Sequence, residues 1–207
     1  RSTDMEEELE RHEGLTFHVS PLVLVASGVS CFLSIIGSTL IIFTYCKWRE
    51  FRNRPREILM CLSVSDLILV ITYLFGMLRY YKDSSVDCVI QSFISTIANL
   101  CTVLWTSALI VYLFIVIVLM DRSLADRILP ACHAICWGLP VFLAIVFVSR
   151  GGLGYCGNVI TVGWCWIDIK DTYFLLWMLL AGVIWDVMSY ILLPVIFVLV
   201  HSNLNKQ

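Results

Sequence analysis

Five long apolar runs constrain the fold of this chain more than any other feature. Each has the roughly 20 mostly apolar residues that a helix needs to cross a hydrocarbon layer of about 30 Å. The runs cover residues 21–46, 58–78, 88–120, 128–149 and 173–200. They lack the alternation of polar and apolar residues that strands of a membrane barrel would show. The sequence therefore predicts an all-α fold, a transmembrane helical bundle of five spans within residues 20–200.

The overall composition argues against a water-soluble domain. Hydrophobic residues make up 59% of the chain and charged residues 14%, whereas soluble domains average about 45–50% and about 25%. A soluble domain this apolar would expose large apolar patches to water. The formal net charge of -2 gives no strongly basic face, so nucleic acid is not expected as a partner. The expected surroundings are a lipid bilayer.

Lysine and arginine near the span ends predict how the chain is oriented. The first loop holds the densest basic patch, which consists of Lys47, Arg49, Arg52, Arg54 and Arg56. The head, residues 1–19, is acidic and carries only Arg1 and Arg11. Because positive residues favour the cytoplasmic side, the head is expected to be an extracellular N-terminal tail. The first loop and residues 201–207 are then expected in the cytoplasm.

Three cysteines fall on the side of the membrane that this orientation makes extracellular. Cys88 opens the third span, and Cys156 and Cys165 lie in the loop of residues 150–172. The glycines and aromatic residues of that loop indicate a folded lid. An oxidising compartment permits a disulfide, and a bond between Cys88 and Cys165 would fix the lid across the outer end of the bundle. Pairing of Cys88 with Cys156, or three free thiols, remain the alternatives.

Asp66 and Asp186 are charged residues within predicted spans. A charge inside the membrane is costly unless it faces the bundle interior, so both are candidate functional residues. Asp66 is predicted to act either as a buried polar switch or as a structural residue, with Ser63 and Ser65 as expected hydrogen-bond donors. Asp186 shares a helix face with Tyr190. That face is expected to meet either a ligand or a neighbouring helix.

The sequence contains no constellation that indicates catalysis or a metal site. There is no G-x-S-x-G, no H-E-x-x-H and no phosphate loop, so the chain is not expected to be an enzyme. No cofactor is predicted. His133 in the fourth span has no carboxylate at ligand spacing, and a metal site there is not expected. Asn99 in the third span is expected to form an interhelical hydrogen bond or a ligand contact.

Several motifs, in the correct order, resemble one family of receptors. LSVSDL, which contains Asp66, is similar to the second-helix signature of seven-helix receptors. CWGLP, with Trp137 and Pro140, resembles the fourth-helix motif of the secretin-like and cyclic-AMP-receptor-like branches. VGWCWID, LLWMLL and DCVIQSFISTIAN are more particular to the cyclic-AMP-receptor-like group. The similarity runs from about Gly37 to Val200, and on these motifs the chain is identified as a member of that group of G-protein-coupled receptors.

The resemblance implies a function as well as a fold. A receptor of this kind carries the signal of an extracellular ligand, here unknown, across the plasma membrane to a heterotrimeric G protein. The family has seven helices, so the chain is expected to be a fragment that covers helices one to five and cannot signal alone. The resemblance also implies the Cys88–Cys165 disulfide that is common to these receptors.

The candidate ligand-binding residues lie near the outer ends of the second, third and fifth spans and in the lid. They are Tyr73, Asn99, Trp166, Trp177 and Asp186. Asp66 would be the buried polar switch. A function of a different class, an ion-coupled secondary transporter or channel, would use Asp66 and Asp186 as ion ligands. Against this alternative, the sequence shows no repeated half.

Overall fold

A computed structural model describes residues 21–79, 81–156 and 163–204 of the chain. The predicted acidic tail of residues 1–19 lies outside the described residues. So do residues 157–162 of the lid and residues 205–207 at the C-terminal end.

Five helices long and apolar enough to cross a membrane form the described part of the chain. They are α1 (Pro21–Lys47), α2 (Arg54–Arg79), α3 (Val86–Ile117), α4 (Arg122–Ser149) and α5, in which α-helical Phe174–Met178 continues through a π-helical turn at Leu179–Val183 into α-helical Ile184–Leu204. The predicted all-α membrane bundle is confirmed.

Polar residues at the helix starts explain why two of the helices extend beyond their apolar runs. Asp121 caps α4, because its side chain accepts a hydrogen bond from the backbone N–H of Leu124 at 2.9 Å. The Asn53 side chain accepts one from the backbone N–H of Arg56 at 3.1 Å, next to the first turn of α2. Such caps satisfy backbone donors that have no partner within the helix. The charged first turns therefore extend each helix past its hydrocarbon-crossing segment.

Helix α3 lies at the centre of the bundle. It packs against α2, α4, α5 and the lid, while α1 packs against α2. A buried cluster around the fully buried Trp105 joins α2, α3 and α4 and includes Ile58, Cys61, Cys101, Leu129 and Cys136. Large apolar side chains remain exposed on the outer faces, among them Phe32, Leu78, Phe142 and Leu175, which are 63–85% exposed. Lipid is the solvent that suits these faces.

The loop between α4 and α5 is folded, as its composition predicted. Strands β1 (Leu153–Gly154) and β2 (Trp166–Ile167) pair in antiparallel register, with Leu153 opposite Ile167. Leu153 and Ile167 are buried against α4 and α5. Gly154 is required by close packing, since a Cβ there would lie 2.7 Å from both Asp168 Oδ2 and Ser84 Oγ. We call residues 150–172 the lid.

Candidate functional site

A disulfide between Cys88 and Cys165 attaches the lid to the start of α3. The two Cα atoms are 5.4 Å apart, and both side chains are fully buried. Cys156, the alternative partner considered from the sequence, is a buried free thiol. Burial raises the pKa of the Cys156 thiol to about 11. We call the end of the bundle that carries this bond the disulfide end.

Gln91, one helical turn after Cys88, supports the lid beside the disulfide. Its side-chain oxygen accepts a hydrogen bond from the backbone N–H of Cys165 at 2.7 Å, and its amide nitrogen donates to the carbonyl of Thr72 at 3.2 Å. One buried amide therefore connects α2, α3 and the lid. Gln91 was not among the residues predicted from the sequence. Its spacing of three residues from Cys88, which puts both on one helix face, was the available signal.

The short loop between α2 and α3 holds the lid from the other side. Ser84 Oγ donates to Asp168 Oδ2 at 2.5 Å and accepts a hydrogen bond from the backbone N–H of Tyr155 at 3.0 Å. The backbone N–H of Tyr81 donates to the carbonyl of Gly163 at 3.3 Å. The lid is thus held by covalent, side-chain and backbone bonds together.

Tyr73 on α2 lies directly beneath the lid. Its ring stacks on Trp164 with centroids 4.4 Å apart and an interplanar angle of 19°. Gly76, one turn further along α2, allows this approach, because a Cβ there would lie 2.7 Å from the Trp164 Cα. Trp164 was not among the predicted site residues. The neighbouring Trp166 was chosen instead, since spacing alone does not say which of the two tryptophans turns toward α2.

Asn99 and Trp166 approach α5 near Asp186. A Cβ on Gly182 in α5 would lie 3.0 Å from the Trp166 ring and 3.7 Å from the Asn99 side-chain nitrogen. Asp186 follows Gly182 by four residues and so shares its helix face. Its carboxylate is half-buried. We call Tyr73, Asn99, Trp166 and Asp186 the sublid cluster.

Trp177 takes a packing position on the α4 side of the lid. Its ring meets Phe147 edge-on with centroids 5.5 Å apart. A Cβ on Gly152 would come within 3.1 Å of the same ring. The indole N–H is buried and has no hydrogen-bond partner among the described residues. Trp177, a residue of α5, therefore packs between α4 and the lid.

Asp66 is held by the neighbouring helix, which corrects the expected hydrogen-bond donors. Ser34 and Ser38 of α1 both donate to Asp66 Oδ2, at 2.6 and 2.7 Å. The expected donor Ser65 instead donates to the carbonyl of Cys61 in its own helix at 3.1 Å, and no bond joins Ser63 to Asp66 in the described residues. Adjacent positions on an α-helix point about 100° apart, so Ser65 faces away from the carboxylate. Asp66 joins α1 to α2.

A second group of polar side chains lies near the first turn of α2, at the end of the bundle opposite the disulfide. His133 Nε2 on α4 lies 3.3 Å from Glu57 Oε1 on α2, and Glu57 also pairs with Arg54 at 3.1 Å. The His133 ring meets Trp105 edge-on at 4.8 Å. The sequence did not reveal a carboxylate near His133, because its partner Glu57 lies on α2, far from His133 along the chain.

Comparison with known proteins supports a receptor. Residues 16–202 match the family described as slime mold cyclic AMP receptor. G-protein coupled receptor 157 of Homo sapiens is 38% identical over 179 residues, 86% of this chain and 53% of that protein. Cyclic AMP receptor-like protein A of Dictyostelium discoideum is 29% identical over 142 residues, 69% of this chain and 36% of that protein. These relatives are receptors and not enzymes.

A solved structure supports the fold independently. The crystal structure of squid rhodopsin superposes with a TM-score of 0.69 at 14% sequence identity, over 92% of this chain and 55% of that chain. At this identity the likeness concerns the fold alone. The chain spans about half the length of the curated relatives that it matches most strongly. The transporter alternative gains nothing from these findings, and the two serines already occupy one oxygen of Asp66.

Proposed function

This chain belongs to the slime mold cyclic AMP receptor family, and from that premise we propose that it forms part of a G-protein-coupled receptor of the plasma membrane. The receptor binds an extracellular ligand and activates a heterotrimeric G protein. The observation that carries the proposal is the contact between the helices and a lid that a disulfide anchors: Trp164 of the lid stacks on Tyr73 of α2, and Trp166 of the lid lies close to Gly182 of α5, which Asn99 of α3 also approaches. A site of this kind is formed before any ligand arrives.

Two independent features support an orientation with the disulfide end outside the cell. Disulfides persist in oxidising compartments and are rare in the cytosol, and the Cys88–Cys165 bond lies at this end. The cation-rich loop between α1 and α2 lies at the opposite end, where the positive-inside rule expects cytoplasm. With this orientation, the sublid cluster opens toward the extracellular side and the Glu57–His133 pair lies near the cytoplasm.

The proposed ligand site consists of the sublid cluster, with Trp177 as a support of the lid. Tyr73 and Trp166 offer aromatic surface, Asn99 offers an amide, and Asp186 offers a carboxylate. Ligand sites commonly combine apolar and aromatic walls with a few polar groups that fix orientation. Asp186 lies one turn beyond the π-helical segment Leu179–Val183 of α5, and π-helical turns are often found at functional sites.

Signal transfer would use helices that rearrange between two states. A ligand shifts such an equilibrium only through its different affinity for the two states. Asn99 on α3 and Asp186 on α5 belong to helices that pack against each other, so a ligand bridging them would favour one α3–α5 arrangement. Asp66, which joins α1 to α2 through Ser34 and Ser38, is the proposed polar switch of the bundle interior.

The test is nucleotide exchange on purified heterotrimeric G proteins. The chain is reconstituted in lipid vesicles, alone and completed with the C-terminal part of the human relative that this chain does not cover. We expect the completed protein to accelerate exchange above the rate in protein-free vesicles for at least one G protein of the panel. The intact human relative serves as the positive control.

The same vesicles also test the alternative function. Loading them with an ion gradient allows flux to be measured beside exchange. Gradient-driven flux without nucleotide exchange would refute the receptor proposal. Exchange without flux is the outcome that the proposal requires.

A further inference from the structure

The carboxylate of Asp186 lies within a membrane span and has no hydrogen-bonding or charged partner among the described residues. Among the described residues it forms no hydrogen bond or ion pair, although it is half-buried. Asp66, the other carboxylate within the spans, accepts two serine hydroxyls. Charged groups inside a membrane normally pair with one another or with polar groups, and unpaired ones mark ligand or ion pathways. Asp186 is therefore ready to accept a positively charged group.

The position of Asp186 places that charge requirement in the proposed ligand site. Gly182 on the same face of α5 approaches the Trp166 ring and the Asn99 amide. On the α2 side, the Tyr73 ring stacks on Trp164 of the same lid. A group bound to Asp186 would therefore lie among side chains of α2, α3 and the lid, and not against the lipid-facing surface of α5.

Aromatic faces surround the place where such a cation would lie. Tyr73 stacks on Trp164, and Trp166 lies over Gly182 one turn from the carboxylate. Aromatic rings attract ammonium groups through their negative faces, most strongly where water is excluded. A carboxylate together with tyrosine and tryptophan rings is the chemistry that recognises a protonated or quaternary amine with an apolar body.

The distribution of basic residues argues against an anionic ligand at the same place. The predicted spans 58–78, 88–120, 128–149 and 173–200 contain no lysine or arginine. At the disulfide end the cations belong to the rim, where Arg79 is paired with Asp87 at 2.9 Å. Within these spans, an anion beneath the lid would therefore face Asp186 without a lysine or arginine to offset the repulsion. Phosphate-bearing ligands require such cations.

We infer that the ligand of this site is an organic cation, an amine bearing an apolar or aromatic group, and that Asp186 is its charge partner. This inference rests on the proposed receptor function and specifies the ligand class of the same site. It also means that membership of a family described by cyclic AMP does not carry a cyclic nucleotide into this pocket, because a phosphate would meet a carboxylate there.

The test measures binding directly and needs no G protein. The purified chain in uncharged maltoside micelles is titrated with benzyltrimethylammonium and 2-phenylethylammonium, with tryptophan fluorescence as the readout. Benzyl alcohol is the uncharged aromatic control, and cyclic AMP is the anionic control. We expect the ammonium compounds to bind more tightly than either control. Asp186→Asn should weaken their binding at least about tenfold, and Asp186→Glu, which keeps the charge, should retain more affinity than Asp186→Asn.

Glu50→Gln is the matched control, because it removes an exposed carboxylate of the first loop, at the end of the bundle opposite the lid. We expect it to change ammonium affinity by less than about twofold, since distant sites act independently. Circular dichroism and an intact Cys88–Cys165 bond establish that each variant is folded. The inference is wrong if the folded chain binds neither ammonium compound up to about 10 mM, a limit that already corresponds to very weak affinity. It is also wrong if cyclic AMP binds more tightly or if Asp186→Asn binds the ammonium compounds as well as the unmodified chain.

The binding test and the exchange test fail separately. Ammonium binding that depends on Asp186, without nucleotide exchange by the completed protein, would sink the receptor proposal and leave the ligand class standing. Nucleotide exchange with no such binding would leave the receptor standing and sink the ligand class.

Discussion

The two carboxylates within the spans have the same residue type and opposite surroundings. Asp66 lies between α1 and α2 and accepts hydrogen bonds from Ser34 and Ser38 at 2.6 and 2.7 Å. Asp186 lies on α5 beneath the lid, half-buried and without such donors among the described residues. The first carboxylate joins two helices, and the second is the proposed charge partner of a ligand. The difference shows that a charge in a membrane helix acquires its role from the neighbouring helix.

The disulfide gives the largest expected effect, and it acts on one side of this comparison. Replacing Cys165 with serine should release the lid from α3 and lower the free energy of unfolding by about 2–5 kcal/mol, the usual cost of removing a native disulfide. The region around Asp186 would lose its cover, whereas the bonds from Ser34 and Ser38 to Asp66 would persist. Unfolding in mixed detergent micelles, followed by tryptophan fluorescence, measures the change.

Cys46→Ser is the control for this substitution, because Cys46 is an exposed free thiol near the C-terminal end of α1, far from the lid. It should leave the free energy of unfolding within about 0.5 kcal/mol of the unmodified chain. Equal losses from the two serine substitutions would mean that the lid contributes no more to stability than an exposed thiol does.

The contrast between the two carboxylates also marks how far the sequence could be interpreted. The spans follow from apolar runs such as residues 88–120, because the length of a membrane helix is set by the thickness of the hydrocarbon layer. The donors to Asp66 were sought in Ser63 and Ser65, its neighbours along the chain, and were found in Ser34 and Ser38 on another helix. Which face of one helix packs against which face of another depends on the tertiary structure, and one sequence does not reveal it.

The candidate site was predictable to a similar extent. Tyr73, Asn99, Trp166 and Asp186 were selected from polar and aromatic residues near one end of the spans, and of these Trp166 and Asn99 both approach Gly182 of α5. Their ligand-binding role stays a prediction. Two residues were missed, Gln91 and Trp164. Gln91 acts through a hydrogen bond to Cys165, which is 74 residues away in sequence, and Trp164 acts by stacking on Tyr73. Neither leaves a periodic signal in one sequence.

Removing the serine donors tests the Asp66 side of the comparison, with a smaller expected effect. The double variant Ser34→Ala, Ser38→Ala leaves the Asp66 carboxylate without its two donors in the bundle. It should lower the free energy of unfolding by about 1–3 kcal/mol, the cost of leaving a buried polar group unsatisfied. The same mixed-micelle unfolding assay measures it.

The matching change on the other side is Asp186→Asn. Because no donor in the described residues depends on this carboxylate, the free energy of unfolding should change by less than about 0.5 kcal/mol. If Asp186→Asn destabilised the chain as much as the double serine variant, Asp186 would be a structural residue like Asp66, and the distinction between the two regions would be lost.

The smallest expected effect is a change in the labelling rate of Cys156, which reports whether the lid is closed over the disulfide end. Cys156 is buried in the lid, and burial raises its thiol pKa to about 11. Because the thiolate is the reactive form, maleimide labelling of Cys156 should be slow at neutral pH and should accelerate as the pH rises toward about 11. In the double variant Cys88→Ser, Cys165→Ser, which leaves no new free thiol, the lid should open, the Cys156 thiol should meet water and its pKa should fall back toward the ordinary value, so that labelling at neutral pH becomes faster. The exposed Cys46 should label at the same rate in both proteins. Rapid labelling of Cys156 in the unmodified chain would mean that the lid opens without loss of the disulfide, and the sublid cluster would then be open to solvent as freely as the basic end of the bundle.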